Sequence, residues 1–214
     1  MMKYFLSWIL FFSPFFLFSQ SSSIIGSAAL NEYPYGVCAD NVGNVYFGAT
    51  SNNDSWIFKR DVNNVIVWSR QLNTVASGFS SDVSYVDIIG DTIFGCGWLK
   101  SGTSIEGSLL FKLNATTGAT YWVKSESVSN TYFTSVKYAN GKYFASGSQM
   151  NNSAGYNGKV MAVSSANGSI IWQTSAIGIT FPGFGVDYID DFYSSTEMVN
   201  GKMFITGRSY VSAT

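Results

Sequence analysis

Three carboxylates, Asp187, Asp190 and Asp191, fall within one five-residue stretch. Oxygen donors at that density suit a hard cation such as Ca2+, which takes about six to eight oxygen ligands. The stretch matches neither an EF-hand loop nor a calcium-binding nonapeptide repeat. A solvated acidic loop is therefore the simpler reading, with Ca2+ as the alternative. The surrounding segment, residues 174–195, also gathers Phe181, Phe184, Tyr188, Phe192 and Tyr193 among Gly178, Gly183 and Gly185. Aromatic rings on a long loop can stack on sugar or peptide groups, and long loops on rigid scaffolds often carry function. The competing reading packs the same rings down as a plug on the scaffold beneath.

Other chemistry is narrowed by what is missing. The 214 residues include no histidine. That removes Ser-His-Asp and Cys-His arrangements, His-ligated zinc and the commonest general base near neutral pH. Carboxylate-only chemistry stays open, as does a cofactor that brings its own reactivity. A formal net charge of -1 gives no basic field for nucleic acid or anionic lipid. Nucleic acid is not an expected partner.

The N-terminus carries Lys3 as its first charge, followed by an apolar run from Tyr4 to Phe18. At about 15 residues that run is too short to span a bilayer and suits the core of a secretory signal. Residues 1–20 are read as that signal, with cleavage near Ser19 and Gln20, and no stable membrane span is expected after its removal. The expected location is secreted or cell-surface.

The elements that must position any site come from an internal repeat. GNVYFGAT (43–50), GDTIFGCG (90–97), NGKYFASG (140–147) and NGKMFITG (200–207) align Phe47, Phe94, Phe144 and Phe204, at spacings of 47, 50 and 60. Each follows a second β-rich stretch across Gly-Asp, Gly-Asn or Asn-Gly, turn residues that adopt positive φ at low cost. The first three units continue with SWIFKR (55–60), SLLFKL (108–113) and KVMAVS (159–164), a turn, and strands carrying Trp68, Trp122 and Trp172. Four short antiparallel strands per unit of about 50 residues describe a propeller blade. A lone sheet of this kind cannot bury both faces, whereas stacking sheets around an axis can. The recurring Phe and Trp are expected to fill the gaps between blades.

Blades are expected at about 33–72, 82–126 and 133–175, with a partial one at 194–214, so residues 21–214 form one all-β propeller domain of about three and a half blades. The strand-like SIIGSAAL (23–30) could supply a closing strand, but an incomplete ring is the expectation. Cys38 and Cys96 sit in predicted strands of different units. Two buried free thiols are expected, since a bridge needs Cα atoms within about 7 Å. Asp40, Asp61, Asp91 and Asn114 fall at turns, where their side chains can satisfy backbone N–H groups. Lys59 and Lys112 are expected on a solvated or edge-facing side of the blade. N-x-S/T sequons start at Asn53, Asn114, Asn151 and Asn167.

ADNVGNVYFGATS, with Asp40, Gly43, Asn44 and Tyr46, resembles the bacterial seven-bladed β-propeller repeat. LNATTGATYW and VSSANGSIIW resemble the repeat of pyrroloquinoline-quinone enzymes, in which a turn glycine precedes a docking tryptophan by four. Gly118 with Trp122 and Gly168 with Trp172 match that spacing, while Asn64 stands in the glycine's place before Trp68. The resemblance covers roughly residues 33–210 and implies the fold. Those dehydrogenases also have a catalytic Asp, calcium ligands and often an adjacent cysteine pair. No residue here can be matched to that Asp, and Cys38 and Cys96 are far apart. The expectation is a non-catalytic scaffold that binds an extracellular protein or glycan, the alternative a fragment of a quinoprotein-like propeller enzyme.

Overall fold

In the computed structural model, residues 33–51, 54–72, 79–102, 104–126, 131–151, 155–175, 189–200 and 202–211 are described. Aromatic and β-branched runs punctuated by Gly, Asn and Asp give strands here, as their side chains dictate. Blade one holds β1 (Tyr33–Ala39), β2 (Val45–Ser51), β3 (Asp54–Arg60) and β4 (Ile66–Gln71). Blade two holds β5 (Ser80–Ile89), β6 (Thr92–Ser101), β7 (Ser104–Asn114) and β8 (Thr120–Glu126). Blade three holds β9 (Thr131–Ala139), β10 (Lys142–Asn151), β11 (Gly155–Ser164) and β12 (Ile170–Ser175). The hairpin β13 (Ile189–Val199) and β14 (Lys202–Val211) begins blade four. Within each sheet the strands pair antiparallel in chain order. The fold is all-β, with four-stranded antiparallel blades and about three and a half of them present.

The core lies in the gaps between sheets. Tyr46, Ile57 and Leu72 of blade one meet Val86, Ile93, Leu109, Phe111 and Leu113 of blade two. On the far side of blade two, Phe94, Cys96, Leu110 and Trp122 meet Phe133, Val136, Tyr143, Ala145 and Met161 of blade three. Alternation along β6 and β7 sends successive residues to opposite gaps, so blade two is apolar on both faces. Phe111 is 0% exposed. Burying such a ring contributes about 1.5–3 kcal/mol.

The repeat register differs from the sequence alignment by one residue in blade one. Tyr46 pairs with Lys59, and Lys59 with Trp68. Phe94 pairs with Lys112, and Lys112 with Trp122. Phe144 pairs with Ala162, and Ala162 with Trp172. Tyr46 is thus the counterpart of Phe94 and Phe144, whereas Phe47 points to the other face, stacked on Phe58 at 5.1 Å. The cause is turn length. Ala39 pairs with Val45 around five residues, whereas Ile89 pairs with Thr92 and Ala139 with Lys142 around two. A strand has a two-residue period, so an odd offset reverses every side chain. Ala162 likewise takes the place of Lys59 and Lys112, so KVMAVS is also displaced by one against SWIFKR and SLLFKL.

Candidate functional site

Antiparallel order gives the molecule two unlike ends. Turns 40–44, 61–65, 90–91, 115–119, 140–141 and 165–169 gather at one, the turn end. The other, the connector end, is where each blade is entered and left.

At the turn end, short polar side chains hold the backbone. The Asp40 carboxylate accepts from the backbone N–H groups of Val42 and Asn44 and from Tyr46 Oη. Asp61 accepts from the backbone of Asn63 and Val65. Asp91 accepts from Thr116 N at 2.8 Å and Thr116 Oγ1 at 2.7 Å, which clips the β5–β6 turn to the β7–β8 turn. Hydrogen bonds from Thr116 and Asn114 hold the Asp91 carboxyl below its usual pKa.

This end also carries the clamp between blades. Trp68 Nε1 donates to the Ala115 carbonyl of blade two, and Trp122 Nε1 donates to the Ser165 carbonyl of blade three. Lys59 and Lys112 donate to the same two carbonyls, at 3.3 and 2.9 Å. These lysines therefore face the next blade and leave the solvated edge expected of them. A carbonyl has two lone pairs, so it can accept from both donors. Each indole lies against a glycine of the following blade. A Cβ on Gly118 would meet Trp68 Cδ2 at 2.8 Å, and one on Gly168 would meet Trp122 Cε3 at 2.9 Å. Both glycines also hold φ near +70°, which disfavours other residues. The docking partner of each tryptophan is thus the glycine of the following blade, and the glycine four positions before it receives the preceding blade's ring. In blade one that receiving place is taken by Asn64, at φ 66°.

At the connector end, charges enter the gaps. Asp82 is 4% exposed. It accepts from Thr50 Oγ1 at 2.6 Å and Trp98 Nε1 at 2.9 Å, and it pairs with Lys100. One carboxylate thereby joins blades one and two. Between blades two and three lie Glu126, at the end of β8, and Lys159 of β11. Lys159 is 7% exposed. Burial lowers its pKa, partly offset by the Glu126 charge; burial raises Glu126, partly offset by Lys159. Nearby, Trp98 and Tyr132 meet edge-on at 6.0 Å. Toward the turn end of the inner strands, by contrast, Lys137 pairs with Asp87 at 3.2 Å and sits over the Tyr85 ring. Burial opposes the Lys137 ammonium, but Tyr85 and Asp87 outweigh it and raise its pKa. Asp82, Glu126, Lys137 and Lys159 were not among the residues the sequence singled out. Their signal was a charge inside an apolar strand, in a chain only 12% charged.

β12 ends and β13 begins at the connector end. The chain leaves β12 at Ser175 and re-enters at Ile189. Asp190, Asp191, Phe192 and Tyr193 belong to β13, opposite Tyr210, Ser209, Arg208 and Gly207. They are strand residues, which corrects their expected place on a loop: pairing with β14 satisfies that backbone. Phe181, Phe184, Asp187 and Tyr188 lie outside the described residues, as do Asn53 and the expected signal, 1–20. Among the described residues no three His, Cys, Asp or Glu side chains come together as a metal site. Cys38 and Cys96 are both free, one in each gap, with blade two's sheet between them. Burial pushes both thiols up to about 12, helped at Cys38 by the charges of Asp87 and Asp40.

No protein-family model matches the chain, and no curated protein matches it in sequence. Solved structures do. BamB from Moraxella catarrhalis aligns with a TM-score of 0.50 at 16% identity, covering 80% of this chain and 46% of that one. The Dos1 propeller aligns with a TM-score of 0.51 at 13% identity, covering 82% and 42%. A quinohemoprotein alcohol dehydrogenase from Comamonas testosteroni gives 0.48 at 17% identity, covering 69% and 23%. Stacked four-stranded blades, tryptophan clamps between them and the first two alignments define a β-propeller. The chain spans less than half the length of each of these three structures.

Proposed function

We propose that this chain is a secreted or cell-surface propeller scaffold that binds an extracellular protein or glycan at its connector end, without catalysis. The observation that carries the reading is the division of labour between the two ends. Turn-end polar groups are spent on the backbone and on the clamps, whereas the connector end combines buried charge with the entry and exit points of the aromatic segment 174–195. Phe181, Phe184 and Tyr188 are the proposed contact residues, with Phe192 and Tyr193 next to them on β13. Concave or end-on sites built from loops on a rigid scaffold are the usual way such folds bind.

A glycan and peptide array probed with the wild-type chain and with Phe181→Ala and Tyr188→Ala tests this. The expected result is one ligand class whose retention falls at least tenfold in both variants while their melting temperatures stay at the wild-type value. Retention unchanged by either substitution would refute the assignment.

A further inference from the structure

Two positions that hold leucines at the connector end of the first gap hold an acid and an amine in the second. Leu72, four residues after Trp68, is matched in blade two by Glu126, four after Trp122. Leu109, paired with Gly97, is matched in blade three by Lys159, paired with Gly147. Both leucines are buried in the first core. Lys159 keeps the buried position, on the same face of β11 as Met161. Among the described residues two ion pairs form, Lys100 with Asp82 and Lys137 with Asp87, and Lys159 enters neither. Its amine also has no hydrogen-bond partner among them. Glu126 acts on it through its charge, without contact. Ionisable groups where leucines would serve cost stability, so packing gives no reason for them.

We infer that Lys159 is a nucleophilic amine that takes an aldehyde or ketone as a reversible imine, with the Glu126 carboxyl as its proton donor. The other lysines that enter the gaps are spent: Lys59 and Lys112 on carbonyls, Lys100 and Lys137 on carboxylates. Lys159 is held instead in apolar surroundings, where a lysine loses its proton readily and attacks carbonyl carbon. Burial disfavours both its ammonium and the Glu126 carboxylate. In the addition, the Nζ lone pair forms the C–N bond and the carbonyl oxygen takes a proton from that nitrogen. The Glu126 carboxyl then protonates the new hydroxyl, which leaves as water while the C=N bond forms. Amine, carbonyl and carboxylic acid thus become protonated imine, carboxylate and water. Glu126 ends as the counter-ion to a cation that the apolar gap would otherwise disfavour. The inference stands apart from the ligand proposed above, because it concerns Lys159 and Glu126 alone.

The test treats the chain with propanal and cyanoborohydride at pH 7, which reduces any imine to a stable secondary amine, and maps the adducts by peptide mass spectrometry. Exposed Lys124 and Lys202 serve as references within the same molecule. Each unit by which a lysine pKa falls raises its free-amine fraction about tenfold, so Lys159 should be labelled at least about tenfold faster than either reference. Glu126→Gln, and Glu126→Leu with the residue of the first gap, should each slow labelling of Lys159 by about tenfold or more. Both should leave the reference rates and the β-sheet circular dichroism spectrum unchanged. Labelling of Lys159 no faster than that of Lys124 would overturn the inference, as would a rate that neither Glu126 variant lowers.

Discussion

The gap between blades one and two and the gap between blades two and three use the same clamp on different cores. In the first, Tyr46 and Phe111 fill the middle and the Asp82–Lys100 pair seals the connector end. In the second, Phe94, Tyr143 and Met161 fill the middle, and the connector end holds Glu126 and Lys159. The turn end scarcely changes: Trp and Lys of one blade donate to one carbonyl of the next, beside a glycine at positive φ. The clamp sets the spacing of blades, and the rest of each gap is free to vary in volume and charge. This is how a propeller tolerates wide sequence change, since volume-conserving apolar exchange in a core costs little.

The largest expected effects come from emptying a gap. Phe111→Ala or Trp122→Ala should destabilise by about 3–5 kcal/mol in chemical unfolding. Equal losses in the two gaps would show that they fold as one cooperative unit, while a biphasic transition in one variant would separate them. Next comes the receiving glycine. Gly168→Val combines an unfavourable φ with a Cβ that strikes the Trp122 ring, and should cost about 2–4 kcal/mol. Gly102→Val provides the contrast, because it has a similar φ of 60° but nothing within 4 Å of its Cβ. Lys112→Met should cost less, about 1–2 kcal/mol, because Trp122 still satisfies the Ser165 carbonyl.

A smaller effect separates the ends by pH. The folded pKa of Asp91 lies below its ordinary value of 3.8. Its contribution is therefore fully present above about pH 4 and is lost as pH falls through the lowered folded value. Asp91→Asn should flatten the fall of melting temperature below pH 4 and lower the melting temperature at pH 7, where the contribution of the ionised carboxylate is fully present. Smallest in energy is the behaviour of the thiols. Cys38 and Cys96, both shifted to about 12, should resist a thiol reagent at pH 8 in the folded protein and both react after unfolding.

Strand order and the propeller class were legible because a two-residue period and turn residues are local signals, repeated often enough to reinforce one another. Register was less so. Gly43-Asn44 looks like Gly90-Asp91 in sequence, yet the Asp40 side chain wraps a longer turn around it and reverses the faces of Tyr46 and Phe47. The clamp was half legible: the four-residue spacing from glycine to tryptophan is plain, but the tryptophan that rests on Gly168 comes from the preceding blade. Lys59 and Lys112 were misplaced because a lysine stem can cross apolar surface to reach a distant carbonyl. The charges at Asp82, Glu126 and Lys159 acquire meaning only when sheets stack, and no spacing within one strand reports that.

Proton NMR of the Gly168 α-protons tests the stacking most directly. With the Trp122 indole of blade two lying against Gly168 of blade three, those protons should be shifted strongly upfield by the ring current and show cross-relaxation to the indole, both lost in Trp122→Leu. Ordinary glycine shifts, unchanged by that substitution, would contradict radial stacking of the blades.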